Sequence, residues 1–272
     1  MKLLSHLKRK GYPRDTASAD ETWSKLQSWY QTPMGQRLWS LEQRWLEQIL
    51  PNLFGYHLVQ VGYVGQSDLT ASSRISHRVM MSACSNTLPG HAVQFCGQSD
   101  QLPIATDSVD VVLLPHVLEY SSHPHEVLRE VDRILVPEGH VVMLTFNPYS
   151  LWGSWRLITA WRKQMPWSGQ FFSTTRIRDW LALLGFDTVQ QQGYGFMPPW
   201  NTSRLADRLH WLEKPGQRFF SFAAGSSILV AKKRVTTLTP IKPRWHERKK
   251  PRWVATGLVE PYTEAKTQRK AS

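Results

Sequence analysis

Two glycines, Gly62 and Gly65, follow the short apolar run His57–Val61, and a lone histidine, His116, follows a second run, Val109–Leu114. Glycines just past a strand let the backbone come close to a ligand and offer it N–H groups. A histidine past a strand end is the side chain best suited to move a proton near neutral pH. Between them stand Ser82, just after the run Arg78–Met81, and Gln98-Ser99-Asp100, just after Ala92–Cys96. Neutral hydroxyl and amide groups at such positions can hydrogen-bond a polar ligand. Other chemistries lack the spacing they need. Cys84 and Cys96 form no CxxC pair and no metal-ligand pattern. His123 and His125 flank Pro124 and read as solvent-facing residues at a helix start. Gly62-Tyr63-Val64-Gly65 does not have the Gly-x-Gly-x-x-Gly spacing of a nicotinamide enzyme, and the second strand does not end on an acid.

Regular elements must position these residues. Five β-rich runs, His57–Val61, Arg78–Met81, Ala92–Cys96, Val109–Leu114 and His140–Phe146, read as strands. The segment Pro124–Leu135 repeats apolar residues at spacings of three and four (Val127, Leu128, Val131, Ile134, Leu135), which predicts an amphipathic helix. Pro137 and Gly139 should then break the chain before the next strand. Met34–Leu50 is a second helix, with Leu38, Leu41, Trp45 and Ile49 on one stripe and Pro51 at its end. A third, Thr175–Leu184, stops at Gly185, and late strands follow at Phe186–Gln190 and Ser227–Ala231. Residues 1–30 show only isolated anchors, Trp23, Trp29 and Tyr30. Strands alternating with helices imply βαβ units and a mostly parallel α/β sheet.

The stretch Gln98–Leu144, QSDQLPIATDSVDVVLLPHVLEYSSHPHEVLREVDRILVPEGHVVML, resembles the type-11 methyltransferase domain pattern. The matching pieces are Leu102-Pro103, Asp110–Leu114, Leu118-Glu119-Tyr120, Leu128-Arg129-Glu130 with Arg133, and Leu135, Pro137 and Gly139. Tyr30–Leu38, Asn147–Gly153 and Arg178–Leu181 resemble a bacterial branch of the same family, extending the likeness to about residues 28–232. The resemblance implies a class I, Rossmann-like sheet, mostly parallel with a late antiparallel strand and helices on both faces. It also implies S-adenosyl-L-methionine as cofactor and methyl transfer to an unidentified acceptor, a small molecule by expectation. Carried over residue by residue, the cofactor contacts fall on Gly62, Tyr63, Gly65, Ser82, Gln98, Ser99 and Leu114, with His116 a candidate catalytic group and no metal. The sequence departs from the pattern at four places, one of them Gln98, which stands where an Asp is usual after the third strand. The glycine run keeps two glycines and places Val64 where a glycine is usual; the acid at the end of the first strand is Gln60. Leu69–Ser99 contains no Asp or Glu, so the ribose acid, expected near Ala83, is replaced by the neutral Ser82, Ser85 and Asn86. These losses motivate an alternative: a methyltransferase-like binding or scaffold protein without the chemistry.

The chain has 272 residues, 41% of them hydrophobic, and a net charge of +12. From Lys232 onward twelve Lys and Arg face Glu247, Glu260 and Glu264, so the tail holds +9 and the body only +3. Any nucleic-acid contact therefore rests on the tail. We divide the chain into an extension and lid helix (1–50), a methyltransferase core (51–146), a Trp-rich substrate segment with late strands (147–231) and a basic tail (232–272), the last expected to be disordered. Tyr149, Trp152, Trp155 and Arg156 are candidates to line the acceptor site; Leu151–Ala160 could instead rest peripherally on a membrane. Met1–Lys10 lacks the apolar stretch of a signal peptide, and no apolar run approaches the ~18 residues of a membrane span. A cytoplasmic enzyme is the expectation.

Overall fold

Val111, Val112, Leu113 and Leu114 are four consecutive buried residues, a run that only a strand covered on both faces can accommodate. The computed structural model describes residues 16–64, 68–82, 93–159, 164–196, 223–234 and 257. Its seven strands are β1 (His57–Val61), β2 (His77–Ser82), β3 (Val93–Cys96), β4 (Val109–Pro115), β5 (Leu135–Phe146), β6 (Phe186–Tyr194) and β7 (Ser226–Lys233). They form one sheet in the order β3-β2-β1-β4-β5-β7-β6. All pairs are parallel except β7, which runs antiparallel to both β5 and β6. Chain order reverses between β1 and β4, so a crevice opens beyond their C-terminal ends, where open α/β sheets bind ligands. Of the two compact units, Met1–Thr236 and Thr237–Ser272, the first holds all the described helices and strands.

Helices cover both faces of the sheet. They are α1 (Thr16–Tyr30), α2 (Pro33–Ile49), α3 (Val117–Tyr120), α4 (Pro124–Ile134), α5 (Leu151–Thr159) and α6 (Thr174–Leu183). The apolar stripe of α4 (Val127, Leu128, Val131, Ile134) packs on Val112 and Leu114 together with Ile177 and Leu181 of α6. Burying each such side chain is worth about 1.5–3 kcal/mol. On the opposite face Leu26, Tyr30, Leu38, Leu46 and Trp152, from α1, α2 and α5, cover Val111 and Leu113. The N-terminal helices α1 and α2 thus close one face of the core.

Most expected elements are present, with shifts of a residue or two. Three differences have physical causes. The helix α1 occupies a stretch where only isolated aromatic anchors were legible; it packs on α2 and the sheet rather than displaying a full amphipathic stripe. Gly35 lets it do so, since a Cβ there would come within 2.4 Å of the Trp29 carbonyl oxygen. The expected break at Pro137–Gly139 is an irregularity inside β5 instead. Leu135 pairs with Val109 and His140 with Val111, while Glu138 takes a positive φ of 66°. Last, β6 runs on to Tyr194, beyond the expected Gln190, because its partner β7 begins at Ser226 and pairs with Tyr194.

Candidate functional site

The first strand ends at Gly62, whose φ of 83° only glycine adopts without strain. A Cβ here would lie 2.6 Å from the Cη2 of Trp23, so the indole of α1 rests directly on the bare backbone of the turn. The Val64 side chain does not obstruct this geometry: Val64 keeps a negative φ and is fully buried in the core. Gln60, at the position usual for an acid, is 1% exposed and donates from Nε2 to the Gly62 carbonyl at 2.9 Å. Its Oε1 is buried without a partner among the described residues. Tyr63 is buried, and burial followed by the charge of Asp68 raises its phenol above the usual range. Gly65 lies outside the described residues, as do Ala83, Ser85 and Asn86; of Ser82 only the backbone is described, as the last residue of β2.

Beyond β3 the chain makes a tight turn, with a bridge between Gln98 and Gln101, and Gln98, Ser99 and Asp100 all half-buried. A polar clamp fixes the far side of this turn. Glu130 accepts from the Leu102 N–H at 3.1 Å, and Arg133 donates to the Leu102 carbonyl at 3.1 Å and to Glu130 at 2.7 Å. The bond to Arg133 holds the Glu130 carboxyl below its ordinary range. These residues carry the family pattern because they hold the turn, not because they face a ligand. Leu114 is buried one residue before the end of β4.

His116 follows β4 in the left-handed region, φ 54° and ψ 27°, with no exposed surface. A non-glycine residue in this conformation is held there by its surroundings, and such strain clusters at functional sites. Its Nε2 lies 2.9 Å from Glu42 Oε1 of α2, and its Nδ1 3.3 Å from Glu119 Oε1 of α3. Glu119 Oε1 also accepts from the Phe146 N–H at 2.7 Å, and Tyr30 donates to Glu42 at 3.1 Å. Phe146 stacks on the imidazole with 4.0 Å between ring centroids. Because carboxylates only accept, a ring bonded to one at each nitrogen is an imidazolium. Burial is the largest single influence and pulls the imidazole down. Bonds to Glu119 and Glu42, with both their charges, outweigh it and push its pKa up to about 9. Around this cluster the phenols of Tyr30 and Tyr194 are pushed well above their usual range, mainly by burial and then by Glu42.

Four buried side-chain atoms lack a hydrogen-bond partner among the described residues: Gln60 Oε1, Glu119 Oε2, Tyr194 Oη and Ser226 Oγ. All four sit toward one edge of the sheet, where β1, β4 and β6 end and β7 begins. The Tyr194 hydroxyl lies near enough to Glu42 and Ser226 to feel both, yet bonds fully to neither. Among the described residues no group of three or more His, Cys, Asp or Glu is arranged to hold a metal ion.

The sequence pointed to His116 but not to the residues that define its surroundings. Glu42 was legible in principle, since Leu38, Glu42, Leu46 and Ile49 form one buried row on α2 and a charge in such a row needs a buried partner. Glu119 stood in the motif without an assigned role. Trp23 stood out only as an isolated aromatic anchor, with no sign that it reaches the Gly62 turn. The four candidates in the Trp-rich segment go to different places. Trp152 is buried against Trp29, Phe146 and Trp167, and Trp155 is half-buried. Arg156 donates to the carbonyls of Trp167 and Gly169, and Tyr149 is exposed. On α5, Leu151, Leu157 and Ile158 also face outward. Among the described residues no helix is long and apolar enough to cross a membrane.

Comparison with known proteins agrees with this geometry. Residues 70–143 match the family described as a methyltransferase domain. The chain is 32% identical over 228 residues to the uncharacterized protein YafS of Escherichia coli, covering 82% of this chain and 87% of that protein. Among solved structures, the geranyl diphosphate C-methyltransferase of Streptomyces coelicolor superposes with a TM-score of 0.51 at 18% identity, over 74% of this chain and 80% of that one. An S-adenosylmethionine-dependent methyltransferase of Mesorhizobium loti gives 0.50 at 16% identity, over 70% and 96%. The [4+2]-cyclase SpnF also gives 0.50 at 16%, over 71% and 80%. At these identities the likeness shows the fold alone.

Proposed function

The chain belongs to the class I, Rossmann-like methyltransferases, and from that premise we propose that it transfers a methyl group to a small-molecule acceptor held at the C-terminal edge of its sheet. The cofactor of this family is S-adenosyl-L-methionine. Supporting the reading is that all four buried side-chain atoms without a partner among the described residues lie toward the C-terminal edge of the parallel strands, the edge at which ligands of such sheets bind.

The residues present fit the cofactor in part. The bare backbone of Gly62 permits close approach, and the orphaned Gln60 Oε1 is an acceptor ready for an ammonium or hydroxyl donor. Gly62, Tyr63, Gln60 and the Gln98–Ser99 turn would hold it, with Leu114 at the floor. When bound, the cofactor supplies an electrophilic methyl group on a sulfonium. The chain's contribution is then positioning and exclusion of water. Trp23 covers the Gly62 turn, Phe146 walls the far side, and the Glu42–His116–Glu119 cluster fixes the local charge. With both ring nitrogens committed to carboxylates, His116 orients them and offsets part of their charge; it is a positioning residue rather than a free base.

The test is titration calorimetry with S-adenosylmethionine and S-adenosylhomocysteine at up to millimolar concentration, paired with the melting temperature. The neutral residues in place of the ribose acid forgo a charge-assisted bond worth on the order of 1.5–3 kcal/mol. Binding should therefore be measurable but roughly ten- to a hundred-fold weaker than a carboxylate would give. A second reading, a binding or scaffold protein that has lost the chemistry, is favoured by the Trp23 indole seated on Gly62. If neither compound binds, that reading replaces the first. The basic tail then supplies its nucleic-acid contact, and that binding should weaken steeply with salt.

A further inference from the structure

Three of the four atoms without a partner among the described residues, Glu119 Oε2, Tyr194 Oη and Ser226 Oγ, belong to the buried charge cluster or to the strand ends beside it. Glu119, which follows His116 by three residues, bonds His116 and the Phe146 N–H through Oε1 and leaves Oε2 free. Ser226 pairs with Phe146 on one side and Tyr194 on the other, so its Oγ and the Tyr194 hydroxyl come from adjacent strand ends. Glu119 is 3% exposed, and Tyr194 and Ser226 are fully buried. Two carboxyl groups share one imidazolium in a fully buried setting, and among the ion pairs of the described residues neither has a second cation. An uncompensated buried charge is strongly unfavourable, and a buried carboxylate oxygen with no donor adds to that.

We propose that this pocket binds the protonated primary amine of the acceptor, held by Glu119 Oε2, Tyr194 Oη and Ser226 Oγ. This rests on the methyltransferase reading and names its substrate class. An –NH3+ group has three donors and no acceptor, and it meets three groups able to accept. Its charge brings the cluster to neutrality; an alcohol of the same shape would leave the negative charge in place. Aromatic rings at Phe146, Tyr30 and Trp152 suit an apolar body behind the amine. For methylation, one N–H proton passes to Glu119 Oε2, freeing the nitrogen lone pair. The new N–C bond then forms as the C–S bond of the cofactor breaks with its electron pair left on sulfur. The product is a protonated secondary amine, and Glu119 returns its proton to water.

The experiment measures binding of 2-phenylethylamine and butylamine, each against its isosteric alcohol, 2-phenylethanol and butanol, by calorimetry with the full chain. Each pair is run with and without saturating S-adenosylhomocysteine. At least one amine should bind tenfold or more tightly than its alcohol. Glu119→Gln should bring that ratio close to one. Tyr194→Phe, which removes an unpartnered hydroxyl and leaves no hole, should keep the melting temperature and weaken the amine several-fold. No amine preference, or a preference that survives both variants, overturns the proposal. Failure of S-adenosylhomocysteine to bind would count against the methyltransferase reading alone, because the arms without it still report on the amine pocket.

Discussion

The two edges of the same sheet treat their polar groups in opposite ways. At the N-terminal edge every notable charge is matched. Asp110 accepts from the N–H groups of Tyr56 and His57 at 2.8 and 2.9 Å. Lys233 donates to the carbonyls of Asp132 and Leu135 and pairs with Asp107. Arg234 bridges Asp187 and Glu138. At the C-terminal edge a histidine is held in a left-handed conformation, two carboxylates share one cation, and buried atoms lack partners. Satisfied networks hold a fold together; unsatisfied ones at a strand-end crevice are set for a ligand. The comparison also sorts the family-matching residues. Asp110, Glu130 and Arg133 work in the first way, and Gly62, Gln60 and His116 in the second.

The sharpest way to break this contrast is to remove the cation at the C-terminal edge. His116→Ala leaves Glu42 and Glu119 facing each other in the core and should cost about 3–5 kcal/mol of stability in urea unfolding. A cost under about 1 kcal/mol would mean the carboxylates are not held as the geometry implies. A pH series tests the same cluster without mutation. The folded pKa of His116, about 9, lies above the ordinary 6.5, so its stabilisation is full below about pH 6.5 and is lost as pH rises towards 9. The fall should be on the order of 3 kcal/mol and should be absent from a His116→Gln variant. Stability that is flat across that window would count against the imidazolium.

The N-terminal edge should respond differently. Asp110→Ala removes two bonds to exposed backbone N–H groups, which water can replace, and should cost about 0.5–1.5 kcal/mol while leaving cofactor affinity unchanged. Weaker binding of S-adenosylhomocysteine in that variant would erase the distinction between the edges. The smallest effect is expected from truncation after Thr236, which keeps Lys233 and Arg234 with their partners. The sequence beyond has few apolar anchors, Trp245, Val254 and Leu258 among them, so the melting temperature should move by no more than a degree or two. Loss of cooperative unfolding would refute that boundary.

The sheet and its flanking helices were legible because their signals are periodic. The α4 stripe and the buried runs of β4 and β5 repeat at the spacings that burial demands. Much of the site was not legible, because it is assembled across the chain. Glu42 and His116 are 74 residues apart, and Tyr194 meets Ser226 only through the antiparallel pairing of β6 and β7. Trp23 reaches Gly62 because an otherwise weakly patterned helix packs there. Local residue types could nominate Gly62, Gln98 and His116 as candidates. They could not show that His116 has both nitrogens engaged, which changes its role from base to positioning group.

Backbone amide hydrogen exchange with and without S-adenosylhomocysteine tests the central claim most directly. If the C-terminal edge is the ligand site, added protection should concentrate at Gly62, at Gln98–Gln101 and at His116–Glu119, while Tyr56, His57 and the Glu130–Arg133 end of α4 stay unchanged. Protection spread evenly over both edges, or confined to the N-terminal one, would contradict the account.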